Sequence, residues 1–385
     1  MMDWDWIDEE FADIKDVVFF NVPFVVIPPK SVQEAYFGFT RDYIACCGDD
    51  ATTKAWEIVR EARADFAGLI GAGASDIAFV KNTAEGIGIF ANGFPFHAGD
   101  NVVVVDQEHS SLLYAWIHLQ RKGIELRVVS SRDGLFSADD IIKACDRKTR
   151  AIAVSAVQFS TGVYADLASL GEYCRQNNVR FVVDAIQSAG RLHIDVNRMG
   201  IDYLACGGNK GLLAVLGVGV VYCNPRITGQ IEPTYAGYQS VVSHATPPAI
   251  TEDFSRLTWH EDARRFEAGN LNYAGIAAIQ AGVRVIQRVG TERIERHVRA
   301  LEDQLRSGIE CLPLHIQRIP NPKDRSGIVC VYYPAHAEGK VVSILQEHKI
   351  HATMRGGYIR MGLHLYNKPQ HVEAAISAFR RIASL

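Results

Sequence analysis

The sequence predicts an α/β fold, with a large domain built on a mostly parallel sheet and a smaller α+β C-terminal domain. Three observations carry this. Short apolar runs alternate with segments of helical spacing through the first two thirds of the chain. Those runs lack a polar face, as do strands covered on both sides. After about residue 265 the texture changes to long helices around one strong apolar strand. The expected division is 18–264 for the large domain and 265–385 for the small one, with 1–17 packed nearby.

Residues 52–70 place Trp56, Val59, Ala62, Phe66, Leu69 and Ile70 at helical spacing. Ile77–Val80 and Val102–Val105 read as strands, and Leu112–Lys122 as a helix. Arg150–Val157 is a strand. Asp166–Asn177 is a helix opened by an Asp and closed by Asn-Asn. Arg180–Val183, Ile201–Ala205 and Val218–Tyr222 complete the run of strands. Beyond them, Tyr273–Val289 is a long helix joining the domains. A helix over 291–307, the strand Gly327–Tyr333 and a helix over 370–383 follow.

Composition excludes several classes. With 48% apolar and 22% charged residues, the 385-residue chain has ample material for a core. Forty Lys+Arg against 44 Asp+Glu give a net charge of -4, no global case for nucleic acid binding. No stretch approaches the roughly 18 apolar residues of a membrane span. The acidic, aromatic start Met1-Met2-Asp3-Trp4-Asp5-Trp6 is unlike a secretory leader. Eight cysteines include no CxxC pair, which points to a reduced, cytoplasmic chain without a zinc site. GxxxxGK[ST], HExxH, EF-hand and GxSxG patterns are absent, and Gly71-Ala72-Gly73 reads as a helix cap.

In a parallel sheet, ligands bind beyond the carboxyl ends of the strands. Four features stand there: Asp184, with Gln187 three residues on; Lys210 among glycines; Asn82-Thr83-Ala84 opening a helix; and Glu108-His109-Ser110. Together they supply what pyridoxal phosphate needs. A lysine forms a Schiff base. An acid keeps the pyridine nitrogen protonated. A helix N-terminus receives the phosphate, and a flat side chain covers the ring.

The segments NTAEGI (82–87), EHSSLLYAW (108–116), VQFSTGV (157–163), VDAIQSAGRLHIDV (183–196), GGNKGLLAVLGVGVVY (207–222), RFEAGNLNYAGI (265–276) and RGGYIRMGLHLYN (355–367) follow in order. In these the chain resembles the class V aminotransferase and cysteine desulfurase family of fold-type I pyridoxal phosphate enzymes. The resemblance implies that Lys210 forms the Schiff base and moves the Cα proton. It implies that Asp184 pairs with the pyridine nitrogen, Gln187 bonds near the ring hydroxyl and His109 stacks on the ring. Thr83 and Ala84 would hold the phosphate through their N–H groups. Arg360 would grip the substrate carboxylate, and Asn21 would line the substrate side. Gly269-Asn270 would reach the phosphate of a partner subunit, because the family builds its site across a homodimer.

The chain also departs from the family. Gly207 and Asn209 stand where a Ser and a His usually contact the phosphate, and Asn270 replaces a Thr. Each lost contact is expected to weaken cofactor binding by ~1–3 kcal/mol, although Asn209 and Asn270 can still donate. The stretch 351–357 lacks the nucleophilic cysteine of desulfurases, and Cys330 sits mid-strand, where a thiol is inert.

The expected activity is therefore a C–S or β-elimination lyase acting on an α-amino acid. A class V aminotransferase or an epimerase is the alternative. A scaffold that has lost the cofactor is the reading from a different class. Tyr114, His118 and His364 are unranked candidates for a second general acid. Arg355 is a candidate for a second acidic group of the substrate. Phe159, Tyr164 and Tyr358 hint at a bulky or apolar side chain.

Overall fold

The computed structural model describes residues 2–46, 51–242, 257–355 and 357–385. Strand β1 (Val18–Phe19) is a two-residue piece. A seven-stranded sheet follows, made of β2 (Ile77–Val80), β3 (Asn101–Val105), β4 (Glu125–Val129), β5 (Thr149–Ser155), β6 (Arg180–Asp184), β7 (Tyr203–Gly207) and β8 (Gly219–Cys223). Their spatial order is β2-β8-β7-β6-β5-β3-β4. All run parallel except β8, which is antiparallel to both neighbours.

The single reversal, at β8, fits a mostly parallel sheet and has a simple cause. The link from β7 to β8 is a short turn around Lys210 with no crossover helix, so the chain can only return alongside itself. Strands β3, β7 and β8 are buried along their whole length, and β6 is buried past its first residue, Arg180. β4 is different: it is an edge strand with one inner face, and its Glu125 and Arg127 carry no apolar signal.

Four antiparallel strands form a second sheet: β9 (His315–Ile316), β10 (Ile328–Tyr332), β12 (Thr353–Arg355) and β13 (Tyr358–Gly362), in the order β12-β13-β10-β9. Between them in the chain lies β11 (Ile350–His351), which pairs in parallel with β1. Asn21 extends this pairing by bridging to Gly362. The N-terminal segment is thus woven into the same layer as the C-terminal strands.

The long helix is Tyr273–Val289, started by Asn272, whose side chain accepts from the Gly275 N–H, and ended at Gly290 with φ 91°. It buries Ile276, Ile279, Val283 and Ile286, packing on the helices Lys30–Ala45 and Ala51–Ile70. Each such side chain contributes about 1.5–3 kcal/mol. The exposed flank is tied by Arg284 Nε to Asp65 at 2.8 Å and by Gln280 Nε2 to Glu61 at 3.0 Å. Among the described residues, no helix is long and apolar enough to cross a membrane.

Candidate active site

Because β2 is antiparallel to β8, as β7 is, its carboxyl end joins those of β3, β5, β6 and β7 at one sheet edge. Asp184 ends β6 and is buried there. Its Oδ1 accepts from the Ile186 N–H at 2.9 Å. Burial pushes its pKa up to about 6, against the pull of that bond and of Lys210. Lys210 lies in the turn after β7. Burial brings its pKa down to about 8, opposed by Asp184 and assisted by Arg360 and Arg355. These four charges therefore share one field.

Two glycines let the loops meet. Gly190 has φ +83°, and a Cβ there would stand 2.2 Å from the Gly211 carbonyl oxygen. A Cβ on Gly211 would stand 2.1 Å from that of Ala189. Only bare backbone can pass so closely.

The helix Thr83–Gly93 is capped by Asn82, whose side chain accepts from the Glu85 N–H at 2.9 Å. Thr83 Oγ1 accepts from the Gly207 N–H at 3.0 Å, fixing the helix start against the end of β7. Among the described residues no acceptor meets the N–H of Thr83 or Ala84. A Cβ on Gly207 would lie 3.3 Å from Asn209 Oδ1 and 3.5 Å from Thr83 Oγ1. The Asn209 amide therefore fills the space beside the helix start.

His109 caps the helix Ser110–Leu119, its Nδ1 accepting from the Ser111 N–H at 3.1 Å. Its ring meets the Phe159 ring edge-on at 4.9 Å. Burial first, then Lys210, Arg355 and Arg360, lower its pKa, which favours the neutral ring. The preceding Glu108 is buried, accepting from the Ser155 N–H at 2.9 Å, from Gln158 Nε2 at 2.7 Å and from the Ser155 hydroxyl. Burial pushes its pKa up to about 7.

On the facing side, Arg360 is 1% exposed and donates from Nη1 to the Phe159 carbonyl at 2.8 Å. Its Nε has no partner among the described residues. Burial and then Arg355 lower its pKa. Asn21 accepts from the Thr353 hydroxyl. Gln187 Nε2 donates to the Pro23 carbonyl at 2.9 Å, leaving its Oε1 without a partner. Val26 N–H donates to the Asn209 carbonyl at 3.0 Å. The N-terminal segment thereby touches both halves.

The structure thus groups Asp184, Gln187, Lys210, Asn209, Thr83, Ala84, His109, Arg360, Arg355 and Asn21. Asn270 lies apart. It is exposed, accepts from the Tyr238 hydroxyl, and lines a different cavity with Lys81, Glu85 and Tyr235. His364 is no general acid: it is fully buried, both ring nitrogens are hydrogen-bonded, and burial forces its pKa down to about 3. His118 accepts from Arg121 on an exposed helix face, and Tyr114 is 66% exposed. Tyr164 turns toward Arg299, whereas Phe159 stands between His109 and Arg360. Two groups escaped the sequence reading, the anchoring role of Glu108 and the Phe159 carbonyl. A carboxylate three residues past the end of β3 was the available signal for the first.

Two open N–H groups at a helix start, a buried acid in the field of a buried amine, a neutral ring and an unpartnered amide oxygen make a donor set that fits pyridoxal phosphate. Arg360 adds a buried cation whose Nε has no partner among the described residues.

The comparisons agree. The family description "Aminotransferase class-V" matches residues 28–382. A probable cysteine desulfurase of Methanothermobacter thermautotrophicus is 30% identical, over 97% of this chain and 96% of its own. The apo structure of a cysteine desulfurase from Thermococcus onnurineus NA1 superposes with TM-score 0.90 at 27% identity, covering 100% of this chain and 99% of that one. The fold is shared too by C-DES, a cystine C-S lyase in complex with cysteine persulfide, at TM-score 0.87 and 24% identity, covering 97% and 99%. On this fold, this donor set and a match over nearly its whole length, the chain belongs to the class-V aminotransferase family of pyridoxal phosphate-dependent enzymes.

Proposed function

We propose that the chain is a C–S or β-elimination lyase acting on an α-amino acid. One observation carries this reading beyond the desulfurase likeness. Arg355 and Tyr358 are register partners in the β12–β13 hairpin, and only two residues separate them in the chain. A turn that short has no room for a loop able to bring a nucleophile to a substrate. Cys330 is buried in β10, and burial pushes its thiol up to about 12. Sulfur would then leave on its own electrons rather than pass to an enzyme thiolate.

Pyridoxal phosphate would be held by Thr83, Ala84 and Asn209 at its phosphate, by Asp184 and Gln187 at its ring, and by Lys210 through a Schiff base. When bound, it supplies an electron sink for the charge left on the substrate Cα. The rest falls to the chain's own side chains. Arg360 binds and orients the α-carboxylate. Lys210 Nζ, with a lowered pKa, takes the proton from Cα. The Cβ–S bond breaks, the sulfur keeps the electron pair, and the thiolate takes a proton. The three-carbon remainder hydrolyses to pyruvate and ammonia. His109 covers the ring face, and Arg355 stands ready for a second acidic group.

We propose further that two copies pair so that Gly269-Asn270 of each reaches the site of the other. The exposed Tyr235 and Tyr238 beside Asn270 support that pairing.

Product analysis on L-cysteine and L-cystine tests the reaction. Pyruvate formed in step with the released sulfur compound supports the lyase. Alanine would mean desulfuration through a thiol. A keto acid that retains sulfur would mean transamination, and a D-amino acid would mean epimerisation.

A further inference from the structure

Arg191 is fully buried, and its three nitrogens all donate to main-chain carbonyls. Nε meets Leu363 at 2.8 Å, Nη1 meets Gln187 at 2.7 Å and Nη2 meets Ser326 at 3.0 Å. Among the described residues it forms no salt bridge. Burying a guanidinium against carbonyls alone is unfavourable, and burial draws its pKa down to about 10. An apolar side chain would fill such a place at lower cost, so the three contacts need a reason.

His364 mirrors it from the other side. Its Nδ1 accepts from the Leu365 N–H at 2.7 Å, so the proton sits on Nε2, which faces the Gly211 carbonyl at 3.0 Å. Burial keeps the ring neutral. The pattern is reciprocal. Arg191, from the loop after β6, holds the carbonyl of Leu363. His364, the next residue, holds the carbonyl of Gly211. Gly211 directly follows Lys210, Gln187 is the third residue after Asp184, and Leu363 is the third after Arg360. The Gly190 and Gly211 backbones already touch at this crossing.

We infer that Arg191 and His364 are positioning residues that together hold the Lys210 turn and the end of the Arg360 strand at one fixed spacing. The amine and the guanidinium then engage the Cα hydrogen and the carboxylate of one amino acid at once. The inference rests on the roles proposed for Lys210 and Arg360. It does not depend on which bond breaks afterwards.

The test uses Arg191→Lys, His364→Ala and His364→Gln. The readouts are KM, exchange of the substrate Cα hydrogen for solvent deuterium, cofactor absorbance and melting temperature. A fourth is the pH midpoint of Lys210 acylation in cofactor-free protein, followed by mass spectrometry. Loss of alignment by about an ångström costs on the order of 100-fold. Arg191→Lys and His364→Ala should therefore raise KM and slow exchange at least about 10-fold, with full cofactor absorbance. Burial holds the Lys210 midpoint down first and the Arg360 charge adds to it, so the midpoint should rise when that charge moves away. His364→Gln keeps an N–H donor and should stay within about two-fold of wild type.

Lowered melting temperatures with wild-type KM, exchange and Lys210 midpoint would overturn the inference, leaving both residues merely structural. If Arg191→Lys does not fold, the two His364 variants decide by the same criteria. A wild-type enzyme that exchanges no amino acid would sink the catalytic role given to Lys210 instead. The acylation midpoint would still decide whether the pair sets the spacing.

Discussion

Cys330 and Arg360 are Cα partners across the antiparallel ladder of β10 and β13. The thiol that stands opposite Arg360, the cation proposed to bind the substrate carboxylate, is thus fixed in a strand. Its Sγ is directed to the Ser160 carbonyl at 3.2 Å, and burial pushes its pKa up to about 12. A protonated, tethered thiol is no nucleophile. Cys330→Ala should release pyruvate at a rate within about two-fold of wild type. A variant that loses sulfur release while keeping its cofactor would show that the thiol takes part.

Arg360 should be read in KM. The hydrogen bonds proposed for it to the substrate carboxylate would be charge-assisted, worth about 1.5–3 kcal/mol. Arg360→Ala is expected to raise the amino-acid KM by about 10- to 100-fold while the cofactor absorbance stays. Arg360→Lys should not restore it, because an ammonium cannot present two parallel donors. An unchanged KM in the Ala variant would remove the carboxylate from this residue.

Lys210 makes its pKa visible in cofactor uptake. Only the unprotonated amine attacks an aldehyde, and burial brings its pKa from 10.5 down to about 8. The rate at which cofactor-free protein takes up pyridoxal phosphate should rise through about pH 8 and then level. An ordinary lysine would keep climbing toward pH 10.5. Borohydride should bleach the violet-absorbing band of the wild type and leave its adduct on Lys210. Lys210→Ala should show neither band nor turnover.

Glu108 gives a stability signature. Its folded pKa is raised from 4.5 to about 7 by burial. The protonated form is favoured in the fold, so its contribution is whole below about pH 4.5 and is lost as pH rises through about 7. Asp184, raised to about 6, moves the same way in wild type and variant and cancels in the difference. Glu108→Gln keeps acceptors for Ser155 and Gln158. Denaturant unfolding should show wild-type stability falling between pH 4.5 and 7 relative to Glu108→Gln, by up to about 3 kcal/mol. Parallel curves would mean that Glu108 is ionised throughout.

What the sequence reveals of this molecule follows burial. β3, β7 and all but the first residue of β6 are buried and read directly as apolar runs, while β4 at the sheet edge and the helix Lys30–Ala45, which buries only Val32, leave little periodic trace. The site is legible where chemistry follows a strand end, as with Asp184, Lys210 and Thr83. It is illegible where a contact joins distant segments: Arg191 and Leu363 lie 172 positions apart, and no local pattern tells an arginine which carbonyls it will meet. His364 shows the converse error. Its ring chemistry suggests an acid, and only its burial and two hydrogen bonds show that its one N–H is already committed to the Gly211 carbonyl.

Asn21 and Thr353 touch across 332 positions, and Phe19 accepts from Asn367 across 348. On the ribosome, the strand that emerges early must wait for nearly the whole chain before it finds its neighbours. The large sheet can assemble during synthesis, but the contacts of Phe19 and Asn21 cannot form until the C-terminal strands have left the exit tunnel. Nascent chains should therefore stay colourless, with stable cofactor capture following release from the ribosome.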